Sequence, residues 1–262
     1  MGPPRGALPV RTILALLLLA AGITHQTVSQ ETQPERDAAR LLQEAQVLGA
    51  APYARVTASL DIRQESRRQN RTVEILYADV GNGARNVFAR VTEPPFLSRM
   101  RFLLRQQPDG TSEQWLATSR GVRRLTGTGS HDSLFSSDFS VEELSGFSGS
   151  GYQAEYIGTE QVDGYDTTVL RGSVRHPEAV YDTFLLRVDK ETGIIVWIEF
   201  FRQNSLTKEY RLLEMGRAQG IPYTRRCRME TFVDDSETEL VVEEIAFPAS
   251  LPEERFQPEA LE

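Results

Sequence analysis

The chain has one cysteine in 262 residues, Cys227, and this excludes an intrachain disulfide. Cys227 also lies far from the N-terminus, so no lipid-modified N-terminal cysteine is available, and the residue reads as a buried apolar filler. Histidine is almost as scarce, with only His25, His131 and His176. Widely separated from one another and from Cys227, they offer no metal-ligand spacing, and no carboxylate run has the spacing of a calcium loop. Positive charge is in deficit: 29 Lys and Arg stand against 37 Asp and Glu, a formal charge of −8, which repels nucleic acid and anionic lipid. There is no low-complexity linker and no internal repeat of fixed period.

Long apolar runs are also missing, with one exception. MGPPRGALPVRTILALLLLAAGITHQTVSQ sets Arg5 and Arg11 ahead of an apolar stretch from Ile13 to Ile23, far short of the roughly 20 residues that span a bilayer. The small residues Gly22, Thr24, Thr27 and Ser29 follow it. Residues 1–29 therefore read as a secretory signal cleaved after Ser29, the alternative being an uncleaved N-terminal anchor. Loss of Arg5 and Arg11 takes the formal charge from −8 to −10. The remainder, 30–262, has the length of one sizeable domain.

Within it, PERDAARLLQEAQVL places Ala38, Leu41, Leu42, Ala45 and Leu48 at helical spacing, which predicts an amphipathic helix over 34–48, stopped by Gly49 and Pro52. From RVTASLDIRQ onward the period is two, with Val56, Ala58, Leu60 and Ile62 alternating with polar residues. Twelve further strand-like runs follow, from RTVEILYADV to ETELVVEEIAF. Gly81-Asn82-Gly83, Pro108-Asp109-Gly110, Asp163-Gly164, Lys190 to Gly193 and Gly220-Ile221-Pro222 supply turn chemistry between them. The expected fold class is mainly β, one large meandering antiparallel sheet or barrel.

LFSSDFSVEEL, residues 134–144, is the stretch that most resembles chemistry. Ser140 with Glu143 three residues on forms a capping box, and Phe139 with Leu144 forms a hydrophobic staple, so the segment reads as a helix start. A hydrolase would need His131 and Asp138 with Ser136 or Ser137, a sparse trio. GFSGSG at 146–151 misses the nucleophile-elbow pattern, and Gly127-Thr128-Gly129 is too short for a dinucleotide loop. No catalytic residue is assigned. With Phe135, Phe139, Leu144 and Phe147 on a polar-flanked segment, the stretch is either a lid or a cap on the core.

Four stretches carry a family resemblance: the Trp115 strand with RGVRRLTG, FSSDFSVEEL, YDTFLLRVDKETGIIVWIEFFRQNSLTKEY, and SETELVVEEIAFPASLPEERFQPEAL. Over about residues 35–262 the chain resembles the bacterial outer-membrane lipoprotein-sorting proteins, the LolA-like periplasmic carriers. It departs from them where LATS replaces the usual proline of the Trp strand segment. The resemblance implies a strongly curved sheet forming an incomplete barrel, with helices covering its concave side. It further implies a monomer in the periplasm that binds lipoprotein acyl chains or other lipid, handles no nucleic acid, needs no cofactor or metal, and meets inner- or outer-membrane transport proteins. A stress sensor or adaptor on the same fold, as in RseB-type proteins, is the alternative. On strand parity the inward, ligand-binding side chains are Leu60, Ile62, Ile75 and Tyr77; Phe102 and Leu104; Phe184, Leu186 and Val188; and Val196, Ile198 and Phe200. Trp115, Phe135 and Phe139 join this set.

Overall fold

The computed structural model describes residues 33–45, 51–108, 111–125, 133–140, 143, 152–174 and 181–262. The expected signal, residues 1–29, lies outside them, and all described residues belong to one compact unit, Thr32–Glu262. The amphipathic segment forms α1 (Gln33–Glu44), and the rest of its expected span, 46–48, is also outside the described residues.

Every strand-like run becomes a strand. The first half of the chain gives β1 (Tyr53–Gln64), β2 (Arg67–Gly81), β3 (Ala84–Glu93), β4 (Arg101–Gln106), β5 (Ser112–Thr118) and β6 (Gly121–Leu125). The second gives β7 (Tyr152–Val162), β8 (Tyr165–Val174), β9 (Thr183–Asp189), β10 (Ile195–Arg202), β11 (Ser205–Ala218), β12 (Ile221–Thr231) and β13 (Ser236–Ala246). They make one 13-stranded antiparallel sheet in the order β6-β5-β4-β3-β2-β1-β13-β12-β11-β10-β9-β8-β7. Each half is a meander, and the two meet at a central seam where Ser59 pairs with Val241 and Leu60 with Leu240. The outermost strands β6 and β7 do not pair, so the sheet is open.

Tight hairpins set the registers. Asp163-Gly164 joins Val162 to its partner Tyr165, and Gln203-Asn204 joins Arg202 to Ser205, with both turn residues at positive φ in each case. This is the turn hand that matches strand twist.

Side chains alternate between two faces. One face carries the main core: Val56, Ile75, Phe102, Leu170, Phe184 and Leu240 belong to a single buried cluster that also takes in Ala38 and Leu42 of α1. The other face is covered in patches. Leu76, Phe88 and Leu103 pack under Leu251, Phe256 and Leu261 from the C-terminal 3-10 turns Glu253–Phe256 and Pro258–Leu261. Val162, Ile194, Val196 and Leu212 form a smaller group beside Trp197. The Trp197 ring is stacked between the guanidinium groups of Arg187 at 3.8 Å and Arg211 at 3.7 Å. Such cation-π stacking screens an outward indole from water.

The fold class holds as mainly β with an unclosed sheet. The pair of covering helices does not emerge in full: among the described residues α1 is the one α-helix, and of the helix start at Ser140 only the capping residues Ser140 and Glu143 are described.

Candidate functional site: an apolar sheet face and the segment that closes it

Residues 133–140 run beside the strand ends near Ile62 and Ser236. Ser133 and Ser140 form an isolated antiparallel bridge, and the Leu134 amide donates to the Phe139 carbonyl at 2.7 Å, so the segment is a closed loop. Its tip holds two consecutive left-handed residues, Phe135 (φ 56°) and Ser136 (φ 59°). A bulky residue adopts that conformation only where its surroundings enforce it. Here the enforcement is burial, since Leu134, Phe135 and Phe139 all enter the main core cluster.

Polar groups fix the loop to the sheet. The Asp138 carboxylate accepts from Thr238 Oγ1 at 2.6 Å and from Ser236 Oγ, while the Asp138 amide donates to Thr238 Oγ1 at 2.9 Å. Ser137 Oγ donates to the Leu134 carbonyl at 2.6 Å. The capping box is present in both directions: the Ser140 amide donates to Glu143 Oε2 at 2.6 Å, and the Glu143 amide donates to Ser140 Oγ at 3.4 Å. Glu143 Oε1 accepts from Lys208 Nζ at 2.7 Å and from the Tyr181 hydroxyl. Glu143 is 3% exposed and Lys208 7%, so this is a buried ion pair in which the carboxylate is also held by a phenol and a backbone amide. Geometry of that kind offsets the cost of taking two charges out of water.

Asp138 and Ser137, two members of the hydrolase trio, are thus engaged in architecture, and His131 lies outside the described residues. Leu144 of the staple lies outside them too. Among the described residues no three His, Cys, Asp or Glu side chains converge.

The inward set assembles largely as strand parity predicts. Leu60, Ile62, Ile75, Phe102, Leu104, Phe184, Leu186, Val188, Ile198 and Phe200 line the main core with Phe135 and Phe139, and Tyr77 packs against it half-buried. Two residues are on the opposite face. Val196 is turned outward by a bulge in which Ile195 pairs with Val188 and Trp197 with Arg187, so that Ile195 takes the inward place. Trp115 pairs with Leu103 and packs with it on the outer face, while its neighbour Leu116 opposes Phe102. Parity counted along one strand cannot see a bulge, which only the partner strand reveals.

Parity also left Tyr210, Cys227, Met229, Leu240 and Val242 unassigned although β11, β12 and β13 alternate in the same way; all five are in the main core. Their contribution is not purely apolar. The Tyr210 hydroxyl is buried beside Thr224 and the Cys227 thiol. Burial pushes the Tyr210 hydroxyl well above its ordinary pKa and raises the Cys227 thiol to about 12. A thiol at that value is not ionised at neutral pH and is inert to thiolate chemistry. Maleimide at pH 8 is therefore expected to label native Cys227 only as fast as the core opens; labelling within the seconds typical of a free thiol would show the inner face already accessible.

At the rim of this face, where Ile62, Tyr181, Arg202, Lys208 and Val233 meet residues 133–140, lies a mixed polar and apolar cleft of about 430 Å³. It touches the core at Ile62 and Tyr181.

No curated protein matches the chain in sequence. Among solved structures, it is similar to a DUF1329 family protein from Desulfovibrio piger, with TM-score 0.78, 19% identity and coverage of 88% of this chain and 100% of that one. It is similar to a putative outer membrane lipoprotein-sorting protein domain from Vibrio parahaemolyticus, with TM-score 0.77, 19% identity and coverage of 87% and 99%. A LolA superfamily protein from Nitrosomonas europaea aligns with TM-score 0.66, 16% identity and coverage of 87% and 100%. A family model described as "Uncharacterized protein" matches residues 83–262. That span runs from the start of β3 through the closing segment to the C-terminal turns, so the chain belongs to the family that this model describes, and its fold is that of the LolA-like lipoprotein-sorting proteins.

Proposed function

We propose that the chain is an exported periplasmic carrier that takes the acyl chains of lipoproteins or other lipids onto the apolar inner face of its sheet for delivery toward the outer membrane. The observation that carries this reading is the closure. The inner side of an open sheet presents a continuous apolar surface. It packs against α1 and against a separate segment that enters through Leu134, Phe135 and Phe139 and is fastened by polar groups at Asp138 and Glu143. A carrier must hide chains whose exposure costs about 0.8 kcal/mol per methylene, and must also release them. An apolar face under a fastened cover meets both needs. When the cover leaves, the acyl chain replaces Phe135 and Phe139 against Ile62, Phe184 and Phe200, and the cover's return expels it. No catalytic group enters the cycle.

Native mass spectrometry of the processed protein, purified from its periplasm without detergent, tests the reading. A bound acylated species recoverable by solvent extraction, or uptake of a fluorescent acyl probe, is the expected result. An apo mass together with failure to take up any acyl probe would overturn it in favour of an adaptor whose partner is a protein surface.

A further inference from the structure

The chain as a whole repels anions, with 37 acidic residues against 29 basic ones. One recess has the opposite balance. Where β4 begins and the β5–β6 hairpin turns, a pocket of about 740 Å³ is lined by Arg99, Arg101 and Arg120 together with Ser98, Thr118 and Ser119. Glu262 is the one acidic residue in its wall. The strand registers bring these groups together: Arg101 pairs with Ala117 and Thr118 with Gly121, so Arg99 and the Ser119-Arg120 turn leave the sheet at the same end.

The frame around the pocket is fixed by hydrogen bonds. The Arg120 amide donates to Thr118 Oγ1 at 3.2 Å, which pins the turn and leaves the Thr118 hydroxyl proton to donate. Beside Arg99, the Met100 amide donates to the Leu97 carbonyl at 2.8 Å and the Met100 carbonyl accepts from the Val91 amide at 3.0 Å. Arg101 Nη1 donates to the main-chain oxygens of Glu262 at 2.8 Å and Ala260 at 3.2 Å, while its Nε is buried without a partner. Arg101 is thus spent on holding the C-terminal turn, but Arg99 and Arg120 have no acidic partner among the described residues. Other exposed arginines are paired, as Arg63 is with Glu237 and Arg124 with Glu113.

We propose that this pocket is an anion site for a phosphate ester, held by Arg99 and Arg120 with the hydroxyls of Thr118 and Ser119 as further donors. Guanidinium groups gathered around one recess repel one another until an anion joins them. The planar fork of arginine matches phosphate oxygens in pairs, and two such forks with added hydroxyl donors exceed what the two oxygens and single charge of a carboxylate can use. The recess is also larger than a bare ion needs, which leaves room for the alcohol part of an ester. That alcohol is either a small free molecule or the glycerol of a phospholipid headgroup. The site goes beyond the carrier reading: none of its lining residues belongs to the main core cluster, so it does not depend on acyl binding.

Calorimetric titration of the intact protein at low salt, with glycerol 3-phosphate and with dihexanoyl phosphatidic acid, each against succinate, tests the site. At least one phosphate ester is expected to bind, and succinate to bind more weakly. Response to both esters identifies a free phosphate ester as sufficient, and response to the lipid alone identifies a headgroup. Arg99→Gln and Arg120→Gln, both at exposed positions, should each weaken binding by about tenfold, the worth of a charge-assisted hydrogen bond, with the thermal midpoint and the uptake of an acyl probe unchanged. Succinate binding as tightly as the esters would overturn the phosphate assignment. Ester affinity unaltered in both variants, or no binding of either ester, would overturn the site and leave the carrier reading standing.

Discussion

Replacing Lys208 with alanine is expected to cost about 3–5 kcal/mol of folding stability, because it leaves the Glu143 carboxylate, 3% exposed, without its cationic partner. The expectation is far larger than for the exposed ion pairs among the described residues. Arg63 with Glu237 is closer, at 2.6 Å, but its arginine side chain is 46% exposed, and hydration and salt leave a surface pair of that kind little net effect. Two controls separate stranded charge from lost packing. Glu143→Gln with Lys208→Met, made together, removes both charges and should recover most of the loss, while keeping an acceptor for the Ser140 amide. Salt should change the wild-type midpoint little, since a buried pair is poorly screened. Denaturant titration measures all three proteins. A loss below about 1 kcal/mol for Lys208→Ala would mean that water reaches Glu143, and the segment would then be loosely docked rather than fastened.

The second large effect is expected at Phe184, where alanine should cost about 3–5 kcal/mol. The ring is wholly buried, meets Tyr152 edge-on at 5.0 Å between centroids, and lies 6.4 Å from Phe200. It rests on Gly172 so closely that a Cβ there would stand 2.1 Å from a ring carbon. Glycine at 172 is thus needed for the approach of the ring, and its φ is ordinary. Gly172→Ala should itself cost about 1–3 kcal/mol by forcing the ring out of place. The two changes share one space. The double variant should therefore be less destabilised than the sum of the singles, because the methyl added at position 172 occupies part of the cavity that Phe184→Ala opens. Strict additivity in chemical denaturation would show that the ring has room to move away from Gly172.

The regular part of this fold was legible because antiparallel strands with one dry face write their period directly into sequence. VEILYAD and TFLLRVD announce both strand and face, and Phe184, Leu186, Ile75 and Phe102 lie where alternation put them. Legibility failed where the partner strand decides. The Val196 bulge and the outward Trp115 depend on pairings with β9 and β4, which no local pattern contains. The turn Gln203-Asn204 was silent for another reason: it uses left-handed backbone at two residues without glycine. In the closing segment, the Ser140 and Glu143 box was readable because capping is local. The Lys208 and Tyr181 partners of Glu143 were not, since they sit 65 and 38 residues away and look like an ordinary surface lysine and an ordinary core tyrosine.

The seam between β1 and β13 sets the order in which this protein can be made. Ser59 and Val241 are paired neighbours at the middle of the sheet, yet almost the whole domain is synthesised between them. Each meander can begin to zip through local hairpins, but β1 keeps one edge unpaired until the last strand is available, and the core shared by the two halves cannot close earlier. Long-range pairing of this kind slows folding because the loop must be closed before the contacts reward it. Hairpins of either half can therefore form early, but the sheet becomes one piece only after β13 has been made.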